Sequence, residues 1–256
     1  MTENQQPDYD DFTRQILRQY NELAQLAGAL AHEIRNPLSV IRMNVDLLAE
    51  DHAQQEPPDQ RRTLDKIRIV QQQCERLQNL LDDFLKFVRL RHLELTPGNL
   101  NEQINRVLDM FAPQARAAHV DLIRYLDAEL PSILLEEQTL EAALVNLVKN
   151  SLEAMPEGGR LEVRTRLSRT GVALDLIDTG QGMDDSTLLH MFDAFYSTKY
   201  GGSGLGLPTA KKIIEAHHGK IYVQSARDRG TQFTLEFPTP ARIHAEQSVP
   251  DAPDAS

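Results

Sequence analysis

Residues 67–88, IRIVQQQCERLQNLLDDFLKFV, carry the most regular apolar pattern in the chain. Their apolar positions alternate strictly by three and four residues. This spacing keeps one apolar stripe along a helix and is typical of helices that pack lengthwise on one another. The stripe includes Cys74, the single cysteine, which we expect to be a small buried hydrophobe rather than a reactive thiol. The stripe consists of Ile67, Val70, Cys74, Leu77, Leu81, Phe84 and Val88.

A second apolar stripe with the same spacing precedes the first, from about residue 11 to residue 50. The polar, proline-containing stretch 51–60, DHAQQEPPDQ, separates the two. Two striped helices joined by a loop predict a helical hairpin. A hairpin alone leaves part of each stripe wet, so we expect a homodimer that forms a four-helix bundle. The alternative is a single-chain hairpin packed on the second half of the chain.

The second half of the chain follows a different pattern. Of the 13 glycines, only Gly28 lies before residue 95. Helical and alternating patterns then succeed one another, which predicts an α/β sandwich with a mixed or mostly antiparallel sheet, and an α+β chain overall. Helices are expected near 99–117, 136–155, 184–191 and 205–217, and strands near 119–126, 160–167, 171–178, 220–225 and 231–237.

Net charge and the length of apolar runs argue against several classes of protein. A formal net charge of −11 argues against nucleic acid as a partner. No apolar run reaches the roughly 18–20 residues of a membrane span, and the start of the chain is acidic, unlike a signal peptide. We therefore expect a cytoplasmic protein without a membrane span.

The first helix carries polar residues suited to chemistry in LAHEIRNPL, residues 30–38. At 100° per residue, His32 lies about 160° from Leu30 and Ile34, so it points away from the apolar stripe into solvent. Asn36 shares the face of His32, and Glu33 lies one step round the helix. An exposed imidazole is partly unprotonated and nucleophilic near neutral pH, and a neighbouring carboxylate can accept its proton. Pro37 removes one helical hydrogen bond and should bend the helix, which suggests a hinge.

The second half offers a candidate nucleotide pocket. Asn146, Asn150 and Glu153 form one polar line on a helix, which suits Mg²⁺ shared with phosphate. Asp178 ends a core-facing row of a strand, where an adenine amine would be a suitable donor. Gly180 and Gly182 can let the backbone approach a flat base. The glycines 201, 202, 204 and 206 precede a helix, whose N-terminus can cradle phosphate, and Lys199 can add a phosphate contact.

Five motifs in this order resemble the H, N, G1, F and G2 boxes of the sensor histidine kinases of two-component systems. They are AHEIRNPLS, NLVKNSLEAM, DTGQGM, FDAFYSTK and GGSGLGL. The resemblance covers about residues 20–238, and some features are most similar to the nitrogen-regulation type. It implies a dimerisation and phosphotransfer hairpin followed by an ATP-binding domain of the Bergerat fold. The domains expected are a flexible start (1–10), the hairpin (11–94), the ATP-binding domain (95–240) and a disordered tail (241–256).

The resemblance implies a role for each matching residue. His32 corresponds to the phosphorylated histidine, Glu33 to its acid/base partner, and Asn36 to the residue that positions water for dephosphorylating the regulator. Asn150, with Asn146, corresponds to the Mg²⁺-linked asparagines. The other ATP-binding residues implied are Asp178, Gly180, Gly182, Lys199, Gly202, Gly204, Gly206 and Thr231.

The implied function is autophosphorylation of His32 by Mg²⁺-ATP and transfer to an aspartate of a response regulator. Regulator phosphatase activity is expected as well. The alternatives are a non-catalytic scaffold or phosphotransfer dimer, and an anti-sigma-type serine kinase of the same ATPase superfamily.

The sequence departs from the family pattern in two places. In HHGKI, Lys220 stands for the second of two glycines, a change we expect a strand start to tolerate. Only about 20 residues precede the hairpin, so we expect a signal delivered by a separate sensor protein, or a truncated chain.

Overall fold

A computed structural model describes the backbone of residues 7–53, 60–89, 93–199 and 201–240. Side chains are described for residues 24–51, 61–88, 93–199 and 201–240. The chain divides into two compact units, Met1–Asp83 and Phe84–Ser256. The sequence predicts a domain boundary at 94/95. The structural division falls earlier, because the last turns of the second helix belong to the second unit. The tail 241–256 lies outside the described residues.

The first unit is the predicted pair of helices. Helix α1 spans Pro7–Ala53, and α2 spans Gln60–Arg89. Helix α1 thus begins inside the segment 1–10 that the sequence assigns to a flexible start, and it continues through Pro37 as one helix. Lys66 on α2 donates to the Asp51 carboxylate at 2.5 Å, which ties the two helices together near the loop.

The apolar stripes of the two helices stay partly exposed in the single chain. Ile67 is 40 % exposed and Leu81 48 %. Cys74 is also exposed, so the prediction that it is buried is wrong for the single chain. The reason is that the covered face of α2 coincides only in part with the predicted stripe, since the buried apolar residues Leu80 and Phe87 lie outside it. Among the described residues, no helix is long and apolar enough to cross a membrane.

The second unit is the predicted sandwich, with a five-stranded sheet in the order β2-β4-β5-β7-β6. Strands β2 and β4 pair in parallel, and the other neighbours are antiparallel, so the prediction of a mixed sheet is confirmed. The short strands β1 and β3 pair separately. The elements are β1 (Thr96–Gly98), α3 (Leu100–Ala117), β2 (Val120–Tyr125), β3 (Ile133–Leu135), α4 (Glu137–Glu153), β4 (Gly159–Leu167), β5 (Gly171–Asp178), α5 (Asp185–His190), α6 (Gly206–Ala216), β6 (Lys220–Ser225) and β7 (Thr231–Pro238).

The core lies between one face of this sheet and helices α3, α4 and α6. Leu174 and Leu176 of the central strand β5 face it and are almost fully buried, as are Leu140, Leu144 and Leu147 of α4. The opposite face of β5 is polar, since Asp175 accepts hydrogen bonds from Arg166 and Thr234 there. Parity along β5 therefore sends Asp178 to the helix-covered side.

Backbone strain before β6 falls on His218 rather than on Lys220. Lys220 begins β6 as an ordinary strand residue, whereas His218 has a φ of 57°. A residue with a side chain loses about 1–2 kcal/mol of stability in a left-handed backbone conformation. Replacing it by glycine recovers only part of this, because glycine loses more conformational entropy on folding. We expect His218→Gly to stabilise the second unit by about 0.5–1 kcal/mol, measured by urea denaturation. Lys220→Gly is the control and should destabilise it, since glycine weakens a strand.

Candidate functional site

Asp178 is the last residue of β5 and is 3 % exposed. Its Oδ1 accepts hydrogen bonds from the backbone N–H of Gly180 at 3.0 Å and of Thr231 at 3.1 Å. The sheet explains the second bond, because Asp178 and Thr231 are partners in the β5–β7 register. Thr231 thus supports this carboxylate through its backbone, while its hydroxyl lies 2.9 Å from that of Ser225.

Burial raises the pKa of the Asp178 carboxyl, and the surrounding donors oppose that shift only in part. These donors are the Gly180 and Thr231 N–H groups and the Ser151 hydroxyl. Ser151 is itself buried, and its hydroxyl lies beside the Asp178 carboxylate but is not well aligned with it for a hydrogen bond. A carboxylate and a hydroxyl thus lie together with unused hydrogen-bonding capacity, which a polar ligand group could satisfy.

Helix α4 supplies the asparagines of the site. Glu136 caps its start by accepting from the N–H groups of Gln138 and Thr139. Asn146 and Asn150 are half-buried on the side away from the leucine stripe, as predicted. A side chain built at Gly206, the first residue of α6, would lie 3.6 Å from the Asn146 Oδ1. The start of α6 therefore faces the asparagine line of α4.

The Lys199 side chain contacts the same polar line of α4. Its ammonium donates to Asn150 Oδ1 at 2.8 Å and to Glu153 Oε2 at 2.5 Å. Both oxygens therefore bind the same cationic group. Amide and carboxylate oxygens are also the ligand atoms that Mg²⁺ prefers. Glu153 lies on the polar line with Asn146 and Asn150 that helical spacing predicts, although the family resemblance assigns no role to it.

Four of the five site glycines lie too close to other atoms of the protein to carry a side chain, mostly backbone atoms and, at Gly202, the Ser197 side chain. A side chain at Gly182 would lie 2.0 Å from the Ala226 carbonyl oxygen, and one at Gly204 would lie 2.4 Å from the Phe195 carbonyl carbon. At Gly180 and Gly202 the nearest atoms are 2.7 Å and 2.6 Å away. Only Gly206, among these five, has ordinary room around it.

Helices α4 and α6 are tied together at their other ends by His217. The buried ring lies with Nδ1 2.7 Å from the Ile213 carbonyl oxygen, and its Nε2 accepts the Glu136 N–H at 3.0 Å. Only the neutral ring with its proton on Nδ1 satisfies both bonds. The imidazole therefore joins the end of α6 to the start of α4 and holds the pair antiparallel.

The predicted phosphotransfer residues lie on α1, in the first unit. His32 and Asn36 are exposed, as predicted, and Pro37 is buried. Glu33 is partly covered and lies 3.9 Å from Arg76 of α2, measured from its Oε2 to the guanidinium Nη2. Glu33 thus faces the partner helix while His32 faces solvent.

Two family models match the chain, one on each side of residues 94–135. Residues 6–93 match the His Kinase A (phospho-acceptor) domain. Residues 136–241 match the histidine kinase-, DNA gyrase B- and HSP90-like ATPase domain. A phospho-acceptor hairpin joined to this ATPase fold is the arrangement of a histidine kinase.

Similar proteins agree with this class. The signal transduction histidine-protein kinase AtoS of Escherichia coli is 33 % identical over 84 % of this chain and 35 % of its own length. Sporulation kinase E of Bacillus subtilis is 29 % identical over 88 % of this chain and 29 % of its own length. The chain therefore spans about a third of these two curated relatives.

Solved structures give the same result. The catalytic domain of histidine kinase ThkA is 32 % identical, with a TM-score of 0.53 over 59 % of this chain and 99 % of that domain. ThkA in complex with the response regulator protein TrrA has a TM-score of 0.71 at 26 % identity, over 94 % of this chain and 69 % of that chain. The chain belongs to the sensor histidine kinases of two-component systems.

Proposed function

We propose that this chain transfers the γ-phosphoryl group of Mg²⁺-ATP to His32 and then to an aspartate of a response regulator. The observation that carries the proposal is the buried Asp178 carboxylate, set beside the asparagine line of α4 and the start of α6. Residues 95–240 serve as the ATP-binding domain and residues 11–94 as the phosphotransfer hairpin.

The adenine amine donates to Asp178. Both backbone donors bind Oδ1, so Oδ2 is the oxygen that this carboxylate offers to the base. The buried Ser151 hydroxyl lies beside the same carboxylate. Burial makes recognition selective, because a base without a donor would leave the carboxylate unpaired at a cost of about 1–3 kcal/mol or more.

The phosphates lie at the start of α6. The N-cap residue Leu205 has no side-chain oxygen to satisfy the first N–H groups of this helix. Those N–H groups and the helix dipole favour an anion. Asn150, Asn146 and Glu153 offer the oxygens that would hold Mg²⁺, which when bound neutralises charge on the phosphates.

Gly206 tests the phosphate end of the site. We expect Gly206→Ala to keep or raise stability, by up to about 1 kcal/mol, because alanine is the better helix former. ATP affinity should fall about tenfold, because the new methyl group lies between α6 and Asn146. Calorimetric titration with Mg²⁺-ATP and urea denaturation measure the two effects. Gly204→Ala is the contrasting variant and should lose stability, since its φ is 65° and its surroundings are closed.

The reaction at His32 is a phosphoryl transfer to nitrogen. A ring nitrogen forms a bond to the γ-phosphorus as the bond to the β,γ-bridging oxygen breaks and ADP leaves. Glu33 takes the proton that the ring loses, and Arg76 holds this carboxylate on the α2 side. The exposure of His32 suits two successive partners, ATP and the regulator. In the second expected activity, dephosphorylation of the response regulator, Asn36 orients the attacking water.

The chain acts as a homodimer. Large apolar side chains of the hairpin are left exposed in one chain, and a second hairpin would cover them as a four-helix bundle. The exposed set is Leu38, Met43, Val45, Leu47, Leu64, Ile67, Ile69, Leu81 and Leu85.

The proposed function is tested by incubating the protein with γ-³²P-ATP and Mg²⁺. The expected product is a protein-bound label that is labile in acid and stable in base. Transfer to a purified receiver domain, with loss of label from the kinase, would extend the result to the regulator. An acid-stable label would instead favour the serine kinase alternative, and ATP binding without label would favour a scaffold.

A further inference from the structure

The Lys199 side chain occupies the oxygens that a divalent cation would need. Its ammonium lies 2.8 Å from Asn150 Oδ1 and 2.5 Å from Glu153 Oε2. The two acceptors are three residues apart on α4 and therefore share one face of the helix. The Glu153 and Lys199 side chains are only 37 % and 38 % exposed, so the contact is partly shielded from solvent.

An ammonium and a metal ion cannot use this place together. Both require the same lone pairs on Asn150 and Glu153, and Mg²⁺ approaches its oxygen ligands to about 2.0–2.1 Å. A monovalent and a divalent positive charge this close would also repel strongly in a partly shielded site. Binding of the metal therefore requires the ammonium to leave.

The Lys199 backbone is fixed while its side chain has freedom to move. The Lys199 N–H donates to the Ser197 Oγ at 3.1 Å, and its carbonyl accepts the Gly202 N–H at 3.2 Å. The lysine stem has four carbons and many rotamers. The ammonium can thus change partners without a rearrangement of these backbone bonds.

We propose that Lys199 is the internal counterion of the cation site: Asn150 and Glu153 hold its ammonium when no divalent cation is bound and exchange it for the metal when one binds. Glu153 thereby becomes a cation ligand beside Asn150. The destination of the released ammonium, the nucleotide phosphates, rests on the proposed function. The exchange at Asn150 and Glu153 does not depend on it.

The chain provides a matched control in Lys149. This lysine lies 3.9 Å from the other oxygen of Glu153, Oε1, and its side chain is 60 % exposed. It carries the same charge near the same carboxylate, yet it approaches from outside the gap between Asn150 and Glu153. Removal of either lysine changes the net charge equally, so only the exchange at the cation site separates the two variants.

The experiment is a titration of the full chain with Mn²⁺ without nucleotide, in which electron paramagnetic resonance measures free Mn²⁺. We expect Lys199→Met to bind Mn²⁺ about tenfold more tightly than the wild type, and Lys149→Met to stay within about twofold. Adding Glu153→Gln to Lys199→Met should reverse the gain. Circular dichroism verifies folding, and Lys199→Gln replaces Lys199→Met if the latter does not fold.

Two results would overturn the proposal. One is equal Mn²⁺ affinity, or no detectable binding, in both the wild type and Lys199→Met. The other is an equal gain in Lys149→Met, which would indicate a general charge effect. A failure of the proposed kinase function would instead appear as missing phosphohistidine with the Mn²⁺ pattern intact.

Discussion

Asp178→Asn should weaken ATP binding at least a hundredfold while the chain stays folded. The amide oxygen can still accept from the Gly180 and Thr231 N–H groups, as the carboxylate does now. The amide nitrogen, however, replaces an acceptor by a donor on the side of the base, so it opposes the adenine amine. A lost bond to a charged acceptor and an unpaired donor together cost about 3 kcal/mol or more, which is roughly a hundredfold in affinity.

Asp175→Asn is the matched control for this variant. Asp175 is the other buried aspartate of β5, but it lies on the opposite face of the sheet with Arg166 and Thr234. Its replacement should lower stability and leave ATP affinity unchanged. Calorimetric titration of both variants with Mg²⁺-ATP measures the contrast, and equal affinities for Asp178→Asn and the wild type would refute an adenine contact at this residue.

The Asp178→Asn variant should also differ from the wild type in how its stability depends on pH. Burial raises the pKa of Asp178 in the folded chain above its ordinary value of 3.8. The folded state then binds the proton more tightly, so this residue contributes stability at low pH that is lost as the pH rises through the raised pKa. Asparagine has no such cost. The stability of Asp178→Asn relative to the wild type should therefore be greatest near neutral pH and shrink as the pH falls towards 3.8.

His32→Gln should eliminate the acid-labile label from γ-³²P-ATP completely. Glutamine keeps a polar side chain at this exposed position but has no nitrogen that can accept a phosphoryl group. Exposed substitutions of this kind change stability by about 0.5 kcal/mol or less, so folding and ATP affinity should be preserved. His119→Asn is the control, because His119 is exposed in the other unit and asparagine tolerates its φ of 55°.

An acid-labile label of unchanged intensity in His32→Gln would place the acceptor elsewhere. The two variants can also be mixed. Asp178→Asn retains His32 but should not bind ATP, whereas His32→Gln should bind ATP without an acceptor. Label that appears only in the mixture would show transfer across a dimer.

Sequence periodicity located most of the fold. The patterns at 99–117, 136–155 and 205–217 correspond to α3, α4 and α6 within two residues at each end. Strands β1 and β3 were missed because three residues are too few to display an alternation. The pattern at 67–88 predicts helix α2, but its predicted stripe is only partly covered in the single chain. Cys74 is exposed, whereas Leu80 and Phe87, which lie outside the stripe, are buried, since burial depends on a partner that the pattern does not identify.

Sequence patterns predict which face of an element a candidate side chain occupies, but they do not predict the close contacts between distant parts of the chain. Parity along β5 placed Asp178 on the covered face, and helical spacing aligned Asn146 with Asn150. The closeness of Gly182 to the Ala226 carbonyl, and the contact of Lys199 with Glu153, join residues more than 40 positions apart. Such contacts arise from tertiary packing, which local patterns do not encode.

The imidazole of His217 offers a spectroscopic view of the helix pair. Because one ring nitrogen carries the proton and the other is bare, their ¹⁵N resonances should differ widely and remain sharp while Ile213 and Glu136 stay in place. Helix α6 has 11 residues, so this ring lies about 16 Å from the first turn of the helix. Ring resonances that shift when nucleotide is added would therefore indicate that the whole of α6 moves on nucleotide binding. Unchanged resonances would indicate that the conformational change is confined to its first turn.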